Sequence, residues 1–203
     1  MARDTGPTDR ISRRFGVALF GPSKALERRP YPPGQHGARG ARRKKSDYAV
    51  ALAEKQKLRL QYGLLEKQFR RYFAEAQRRR GITGDILVQL LETRLDNVCY
   101  RLGFGNTRRA ARQLVGHGHI KVNGRRVDVP SFNVKPGDVV SVCDSTRSQQ
   151  LALRSVDLAT VRPMMDWLSF DKDKLTGSLN RLPEAEEIDT MVNVRLVVEL
   201  YSR

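Results

Sequence analysis

Apolar residues recur at helical spacing from position 46 to about position 102. Ser46 is a favourable N-cap residue, and Gly63 is expected to end the helix that follows it. The next helix carries one apolar stripe, made of Leu65, Phe69, Tyr72, Phe73 and Ala76. A third apolar pattern runs from Asp85 to Leu102 and stops before Gly103-Phe104-Gly105. This part of the chain is therefore predicted to be helical.

A different pattern follows residue 105. Thr107 is predicted to cap a short helix over 108–115, which buries Ala111, Leu114 and Val115. Residues 120–122 then alternate as a strand does, and Asn123-Gly124 favours a type I′ hairpin, with the alternation resuming at Val127 and Val129. Another strand is expected over 139–142. The segment 194–200 fits either a strand or a short buried helix.

The first 45 residues are predicted to form an extended basic arm rather than a folded domain. They contain five prolines and only short apolar groups. Proline disfavours helix at its own position and at the residue before it. Two interpretations remain for this arm: a disordered basic tail, or a segment that becomes ordered when phosphate groups neutralise its charge.

Positive charge is concentrated in the first three quarters of the chain. The net charge is +9 over residues 1–45, +3 over 46–93, +5 over 94–145 and −1 over 146–203, within a formal total of +16. Charges that served only solubility would be spread evenly. The distribution therefore favours a docking surface for a polyanion.

The composition argues against several other classes of protein. Cys99 and Cys143 are the only cysteines, which speaks against a disulfide framework and a cysteine-ligated zinc site. No apolar run approaches the ~18–20 residues of a membrane span, and the segment 1–4 does not resemble the start of a signal peptide. We expect a cytoplasmic protein with no cofactor and no association with membranes.

Basic residues are gathered most compactly in the segment 94–142. The short helix is expected to expose Arg108, Arg109 and Arg112 on the face opposite its apolar residues, and His117-Gly118-His119 leads from it into the basic hairpin. Guanidinium groups bind phosphate oxygens in bidentate pairs, and rigid, closely spaced donors recognise the backbone shape of folded RNA. These residues predict a nucleic-acid-binding protein, with structured RNA as the favoured ligand.

Three stretches of this segment resemble the RNA-binding motif of the S-four family of ribosomal proteins. They are Thr93-Arg94-Leu95-Asp96-Asn97-Val98-Cys99-Tyr100-Arg101-Leu102-Gly103-Phe104, Arg112-Gln113-Leu114-Val115-Gly116-His117-Gly118-His119-Ile120 and Val122-Asn123-Gly124-Arg125-Arg126-Val127. Outside the motif, 32–37, 54–57, 62–63, 66–70 and 199–203 resemble the same family in order and spacing. The resemblance therefore covers the whole chain.

The resemblance implies an α+β fold with one domain inserted into another. A basic extended arm over 1–45 precedes a helical domain over 46–90, which residues 191–203 complete. The inserted RNA-binding domain covers 91–190, has its core at 94–154, and consists of two short helices and antiparallel β-hairpins.

The resemblance also implies a function. Members of the family bind the 5′ domain of 16S ribosomal RNA, nucleate assembly of the 30S subunit and contribute to translational accuracy. They contact the fifth small-subunit protein, lie near mRNA at its entry channel, and often repress their own mRNA. The residues expected to bind RNA are Arg42, Arg43, Lys44, Lys45, Arg94, Arg108, Arg109, Arg112, Gln113, His117, His119, Lys121, Asn123, Arg125 and Arg126.

No metal is expected at either of two places where one could be considered. Some members of the family bind zinc with four N-terminal cysteines, but here Asp9 and Ser12 stand at the first two positions and no cysteine precedes Cys99. The chain therefore resembles the zinc-free members. His117 and His119 lack further soft ligands, so RNA contact or capping is their favoured role.

An RNA-modifying enzyme is the alternative from another functional class. Pseudouridine synthases carry the same motif as an accessory domain, and Arg94-Leu95-Asp96 superficially resembles their catalytic sequence. Their catalytic Asp, however, belongs to a separate domain. Asp96 lies at helical spacing, where it is expected to cap a helix or to pair with Arg94 or Arg101. No carboxylate pair and no nucleophile with its base accompanies it, so a non-enzymatic function is favoured.

Overall fold

The computed structural model describes residues 4–40, 44, 46–159, 165–188 and 191–202. These described residues contain ten α-helices: α1 (Thr8–Phe15), α2 (Lys24–Arg28), α3 (Gly37–Gly40), α4 (Asp47–Gln61), α5 (Glu66–Arg78), α6 (Thr83–Glu92), α7 (Leu95–Arg101), α8 (Arg108–Gly116), α9 (Thr146–Ala159) and α10 (Val194–Ser202). A 3₁₀ turn at Ala185–Glu187 precedes the last helix.

Five strands of the described chain form one antiparallel sheet: β1 (Ile120–Val122), β2 (Arg125–Arg126), β3 (Val139–Val142), β4 (Leu168–Asp171) and β5 (Thr176–Leu179). Their order across the sheet is β2-β1-β3-β5-β4. In this register Lys121 is paired with Arg126 on one side and with Ser141 on the other. The combination of helices with an antiparallel sheet confirms the α+β class.

The chain forms two compact units, and one of them interrupts the other along the sequence. The first unit consists of residues 1–87 and 189–203, and the second of residues 88–188. In the first unit α10 packs on α4, and Tyr201 of α10 stacks on Phe73 of α5 with the ring centroids 4.5 Å apart. In the second, α7 packs on α8, and a single apolar core includes Phe104, Ile120 and Trp167.

Several predicted helices are confirmed in the first unit. The Oγ of Ser46 accepts a hydrogen bond from the amide N–H of Ala49 at 3.3 Å, as an N-cap residue does. Helix α5 buries Phe69, Phe73 and Ala76, which belong to the predicted apolar stripe. The ambiguous segment 194–200 lies in a helix, α10.

The helix predicted from Asp85 to Leu102 is in fact two helices. The backbone at Arg94 is extended, with φ −64° and ψ 138°. There it pairs with a neighbouring loop, since the Leu95 N–H donates to the Phe132 carbonyl at 2.8 Å and the Val134 N–H donates to the Thr93 carbonyl at 2.9 Å. Apolar spacing alone cannot detect this break, because the loop that causes it lies some 40 residues further along the chain.

The predicted arm contains local structure that its sequence pattern does not reveal. Helices α1, α2 and α3 lie within residues 8–40. The Nε of Arg13 is 3.2 Å from the carbonyl oxygens of both Arg29 and Tyr31, which ties α1 to the chain that follows α2. Pro30 and the residues up to 36 are not helical, as their prolines require.

The second unit also contains elements that the sequence pattern does not predict. These are α9, β4 and β5. The turn between β4 and β5 includes Leu175 at a φ of 48°, so neither Gly nor Asn marks it. The return strand of the hairpin is limited to Arg125–Arg126, so Val127 and Val129 lie beyond it.

Candidate nucleic-acid interface

Helix α8 is anchored at its start and along its apolar side. The Oγ1 of Thr107 accepts a hydrogen bond from the Ala110 N–H at 3.1 Å, which confirms the predicted cap. Ala111, Leu114 and Val115 are buried, as predicted. Gln113 is exposed. The exposed side chain of Gln113 therefore extends from a helix that is fixed by its cap and by its buried apolar residues.

The hairpin of β1 and β2 is fixed by its turn. Asn123 and Gly124 have φ values of 50° and 77°, the two positive angles that a type I′ turn requires. The side chain of Asn123 is itself held, because its Oδ1 accepts from the Val139 N–H at 2.9 Å and its Nδ2 donates to the Oδ1 of Asp138 at 2.8 Å. Asn123 thus stabilises the turn.

Basic side chains cover this hairpin. Lys121 and Arg126 are cross-strand partners, so they share one face. The Nζ of Lys121 lies 2.5 Å from the Oδ2 of Asp144, and this hydrogen bond raises the pKa of Lys121 and lowers the pKa of Asp144. Lys121 therefore forms an ion pair with Asp144. Arg125 and Arg126 are exposed.

The loop that joins α8 to β1 lies against Arg126. Gly118 has a φ of 73°, and a Cβ at this position would come within 2.1 Å of the Arg126 guanidinium. The positive φ favours glycine here, and the absence of a Cβ leaves room for the guanidinium in its observed position. The Nη2 of Arg126 donates to the carbonyl of His117 at 3.2 Å, and the Nδ1 of His119 lies 2.8 Å from the Oγ of Ser148. The loop holds two imidazoles and a guanidinium close together.

Two of the expected RNA-binding residues lie inside the second unit. Arg94 is 1% exposed and donates to both carboxylate oxygens of Asp96, at 3.0 Å from Nε and 2.7 Å from Nη2. Arg112 is 7% exposed, and its Nη1 lies 3.6 Å from the Oδ2 of Asp96. The prediction that Arg112 lies on the exposed face of its helix is wrong, and neither guanidinium is presented to a ligand here. Helical spacing cannot show that α7 covers this side of α8 with a carboxylate.

A second buried carboxylate, Glu92, joins α6 to α7 and α8. It is 0% exposed. Arg101 donates to it through Nε at 2.9 Å and Nη2 at 2.8 Å, and Asn97 donates through Nδ2 at 2.7 Å. The Nη2 of Arg108 lies 3.9 Å away, while its Nε donates to the Oδ1 of Asn97 at 2.9 Å and its guanidinium lies 4.6 Å from the centre of the Tyr100 ring. Arg108 therefore helps to hold α8 in place.

The remaining expected residues differ in exposure. Exposed are Lys44, Gln113, His117, Asn123, Arg125 and Arg126, while Arg108, Arg109, His119 and Lys121 are half-buried. Arg42, Arg43 and Lys45 lie outside the described residues. We call the group Gln113, His117, His119, Lys121, Arg125 and Arg126 the cationic surface.

Arg147 is a basic residue beside this surface that the sequence pattern does not identify. It lies in the first turn of α9 and is exposed. Burial is the largest cause that lowers the pKa of His119, and the charges of His117, Arg147 and Arg126 lower it further. Arg147 directly precedes Ser148, whose Oγ lies 2.8 Å from the His119 Nδ1, so the first turn of α9 lies against the loop. The position of Arg147 depends on β3 and on a helix that the sequence pattern does not predict, so nothing local marks it.

Two residues that could support other chemistry, Asp96 and Cys99, are paired or buried. Asp96 pairs with Arg94, one of the partners expected for it. Cys99 is buried, which raises the pKa of its thiol. Across the described ranges, no group of three or more His, Cys, Asp and Glu side chains could hold a metal ion. In the same residues, no helix combines the length and the apolar character needed to cross a membrane.

Two family models match the chain. Residues 3–92 match the Ribosomal protein S4/S9 N-terminal domain, and residues 93–140 match the S4 domain. The second match contains the whole cationic surface and ends before α9.

The chain is also similar to curated bacterial proteins over its full length and theirs. It is 64% identical over 203 residues to a protein of Akkermansia muciniphila, 55% identical over 203 residues to one of Opitutus terrae, and 51% identical over 210 residues to one of Thermus thermophilus. Each of these relatives is named small ribosomal subunit protein uS4.

Proposed function

The chain belongs to the ribosomal protein S4 (S-four) family, and from this premise we propose that it is a structural constituent of the small ribosomal subunit that binds ribosomal RNA. The observation that carries the proposal is the cationic surface, which lies within the part of the chain that matches the S4 domain. The protein acts on the cytoplasmic ribosome and is not an enzyme.

The cationic surface suits the phosphate backbone of a folded RNA. Arg125 and Arg126 extend from a hairpin whose turn is held by Asn123. Guanidinium groups on a rigid support bind phosphate with little loss of conformational entropy. Gln113 and His117 add further hydrogen-bonding side chains at the adjoining helix end.

The alternative of a pseudouridine synthase is not favoured. The relatives are named as ribosomal proteins. The carboxylate of Asp96, in the sequence Arg94-Leu95-Asp96 that superficially resembles the catalytic sequence of such enzymes, is buried between the guanidiniums of Arg94 and Arg112. A carboxylate so engaged cannot reach a nucleotide.

The more specific parts of the proposal rest on the family resemblance. The RNA partner is the 5′ domain of 16S ribosomal RNA, and binding there nucleates assembly of the 30S subunit. The protein contributes to translational accuracy, contacts the fifth small-subunit protein and represses its own mRNA. Arg42, Arg43, Lys44 and Lys45 contact mRNA near the entry channel.

The domain organisation is part of the same proposal. We take residues 46–90 with 191–203 as a helical domain and residues 91–190 as the RNA-binding domain, with its core at 94–154. The division of the chain into units 1–87 with 189–203 and 88–188 supports it.

A footprint of the purified full-length chain on 16S ribosomal RNA tests the function. We expect protection of backbone positions in the 5′ domain. Protection should weaken in Arg125→Gln and persist in Arg181→Gln, because Arg181 is engaged by Glu187. A footprint confined to another domain, or none at all, would contradict the proposal.

A further inference from the structure

Four basic side chains lie on or beside the loop that joins α8 to β1: His117 and His119 on the loop, Arg126 on β2 and Arg147 at the start of α9. The ring centroids of His117 and His119 are 6.2 Å apart. Arg126 is held against the loop by its hydrogen bond to the His117 carbonyl, and Arg147 directly precedes Ser148, whose Oγ lies 2.8 Å from the His119 Nδ1. Neither Arg126 nor Arg147 takes part in any salt bridge found among the described residues.

The other groups around His119 add no negative charge to this cluster. On α9, Ser148 offers its hydroxyl to the His119 Nδ1. Cys143, after β3, donates its N–H to the His119 carbonyl at 2.9 Å and its Sγ–H to the Gly118 carbonyl at 3.4 Å. Asp144 is the neighbouring carboxylate, and its charge is engaged by Lys121. Like charges held together without a counter-ion repel each other, and a bound anion removes this cost.

We propose that His117, His119, Arg126 and Arg147 form a binding site for one phosphate group of the RNA backbone. This inference rests on the proposed RNA-binding function and deepens it, because it extends the interface to α9, beyond the end of the matched S4 domain at residue 140. The two guanidiniums supply charge-assisted donors. The contact of the His119 Nδ1 with Ser148 leaves Nε2 as the ring nitrogen that can meet the phosphate.

The site couples binding to proton uptake. In the free protein, burial and the neighbouring cations lower the pKa of His119 below its ordinary value of 6.5. A phosphate bound beside the imidazole favours its charged form and raises that pKa. At pH values between the pKa of His119 in the free protein and its pKa in the complex, RNA binding therefore takes up a proton. Binding becomes tighter as the pH falls through this window.

Titration of the imidazole protons of the isotope-labelled full-length chain by NMR tests the site without RNA. Sulfate is a suitable probe, because it resembles phosphate and keeps its charge between pH 5 and 8. We expect the titration midpoint of His119 to rise along a sulfate series, relative to sodium chloride at equal ionic strength. The rise should be lost in Arg147→Gln and kept in Arg154→Gln, which removes the same charge from an exposed position two turns further along α9. Equal midpoints in both salts would overturn the proposal.

Binding to the 5′ domain of 16S ribosomal RNA provides the second test. We expect Arg147→Gln to weaken binding about tenfold, which is ~1.4 kcal/mol, and Arg154→Gln to change it less than about twofold. Binding of the parent should tighten between pH 8 and pH 6, and this tightening should be reduced in His119→Gln. Circular dichroism establishes that the variants are folded.

The outcomes separate this site from the proposed function. A parent chain that does not bind the RNA would contradict the function, while the sulfate titration would still decide the site. A parent chain that binds, with Arg147→Gln and Arg154→Gln equally affected or equally unaffected, would overturn the phosphate site and leave the function standing.

Discussion

Asp96 shows how one carboxylate can decide the role of two neighbouring arginines. It is buried and accepts two hydrogen bonds from Arg94, with Arg112 3.6 Å away. Buried ionic groups are tolerated when their charges and hydrogen bonds are satisfied. The three side chains therefore form a set whose members stabilise the second unit together, and removing one leaves the others incompletely paired.

Replacement of Arg112 tests this role against the surface role first expected for it. Arg112→Ala should lower the free energy of unfolding by about 1–3 kcal/mol, because Asp96 loses one of its two cationic partners in a buried setting. Gln113→Ala, at the next position and exposed, should change it by less than about 0.5 kcal/mol. Urea unfolding followed by circular dichroism measures both values. Equal stability of the two variants would show that Arg112 acts only at the surface.

Residues whose position depends on local chain geometry could be predicted from the sequence, and others could not. Arg125 and Arg126 follow a turn that Asn123 and Gly124 specify by themselves, so their exposure could be predicted. The burial of Arg94 and Arg112 depends on a carboxylate that α7 supplies. No pattern within α8 contains that information.

Among the elements, α6, α7 and α8 are joined by the buried side chain of Glu92. Its carboxylate accepts hydrogen bonds from Arg101 and Asn97, and Asn97 in turn accepts one from Arg108. The apolar spacing over 85–102 suggests a single helix, and the pairing of Arg94 with Asn133 breaks it. Glu92 then links the two halves across that break.

Neutralising Glu92 should be costly for this junction. Glu92→Gln leaves Arg101 and Arg108 without their buried counter-charge, and breaking such an arrangement costs about 3–5 kcal/mol. Asp157→Asn removes one charge from the exposed pair with Lys172 and should leave stability unchanged within error. Thermal and urea unfolding of both variants check the prediction. A Glu92→Gln chain as stable as Asp157→Asn would show that the network contributes little.

The C-terminal helix is held to the first unit by a polar contact as well as by stacking. The hydroxyl of Tyr201 donates to the Oε1 of Glu66 at 2.7 Å, and the Nζ of Lys55 lies 2.9 Å from the same oxygen. Burial by itself would raise the pKa of Glu66, but the hydrogen bonds from Lys55 and Tyr201 outweigh it and lower the pKa. The contact is therefore strongest when Glu66 is ionised.

Tyr201→Phe should destabilise the protein by about 1–2 kcal/mol at pH 7, because it removes a hydrogen bond to a charged acceptor. A carboxylate with a lowered pKa stabilises the folded state above its ordinary pKa of 4.5, and this stability is lost as the pH falls through the lowered value. The difference between parent and variant should therefore be smaller at pH 3 than at pH 7 in urea unfolding. Tyr48→Phe, at an exposed position, should have no effect at either pH. A difference independent of pH would show that the charge of Glu66 is not involved.

At the scale of the whole molecule, the asymmetric charge distribution is matched by the placement of the cationic surface. Residues 94–145 carry a net charge of +5 and contain that surface, while residues 146–203 carry −1. The charge pattern of the sequence therefore predicts an interface in this segment. It did not reveal Arg147, which belongs to the nearly neutral last quarter and lies on α9, a helix that packs on β3 and that the sequence pattern does not predict.

Binding to ribosomal RNA should depend steeply on salt. Each neutralised phosphate releases counter-ions, so the logarithm of the affinity falls linearly with the logarithm of the salt concentration, by roughly 0.7–0.9 per contact. Arg125→Gln should weaken binding and reduce this slope by about one, because it removes one phosphate contact. Arg181→Gln changes the net charge by the same amount, but its guanidinium is already engaged by Glu187 outside the cationic surface, so the slope should be that of the parent. Binding isotherms at four or more salt concentrations give the three slopes. If both variants reduce the slope equally, net charge rather than the cationic surface governs binding, and if neither does, the RNA contacts another face of the molecule.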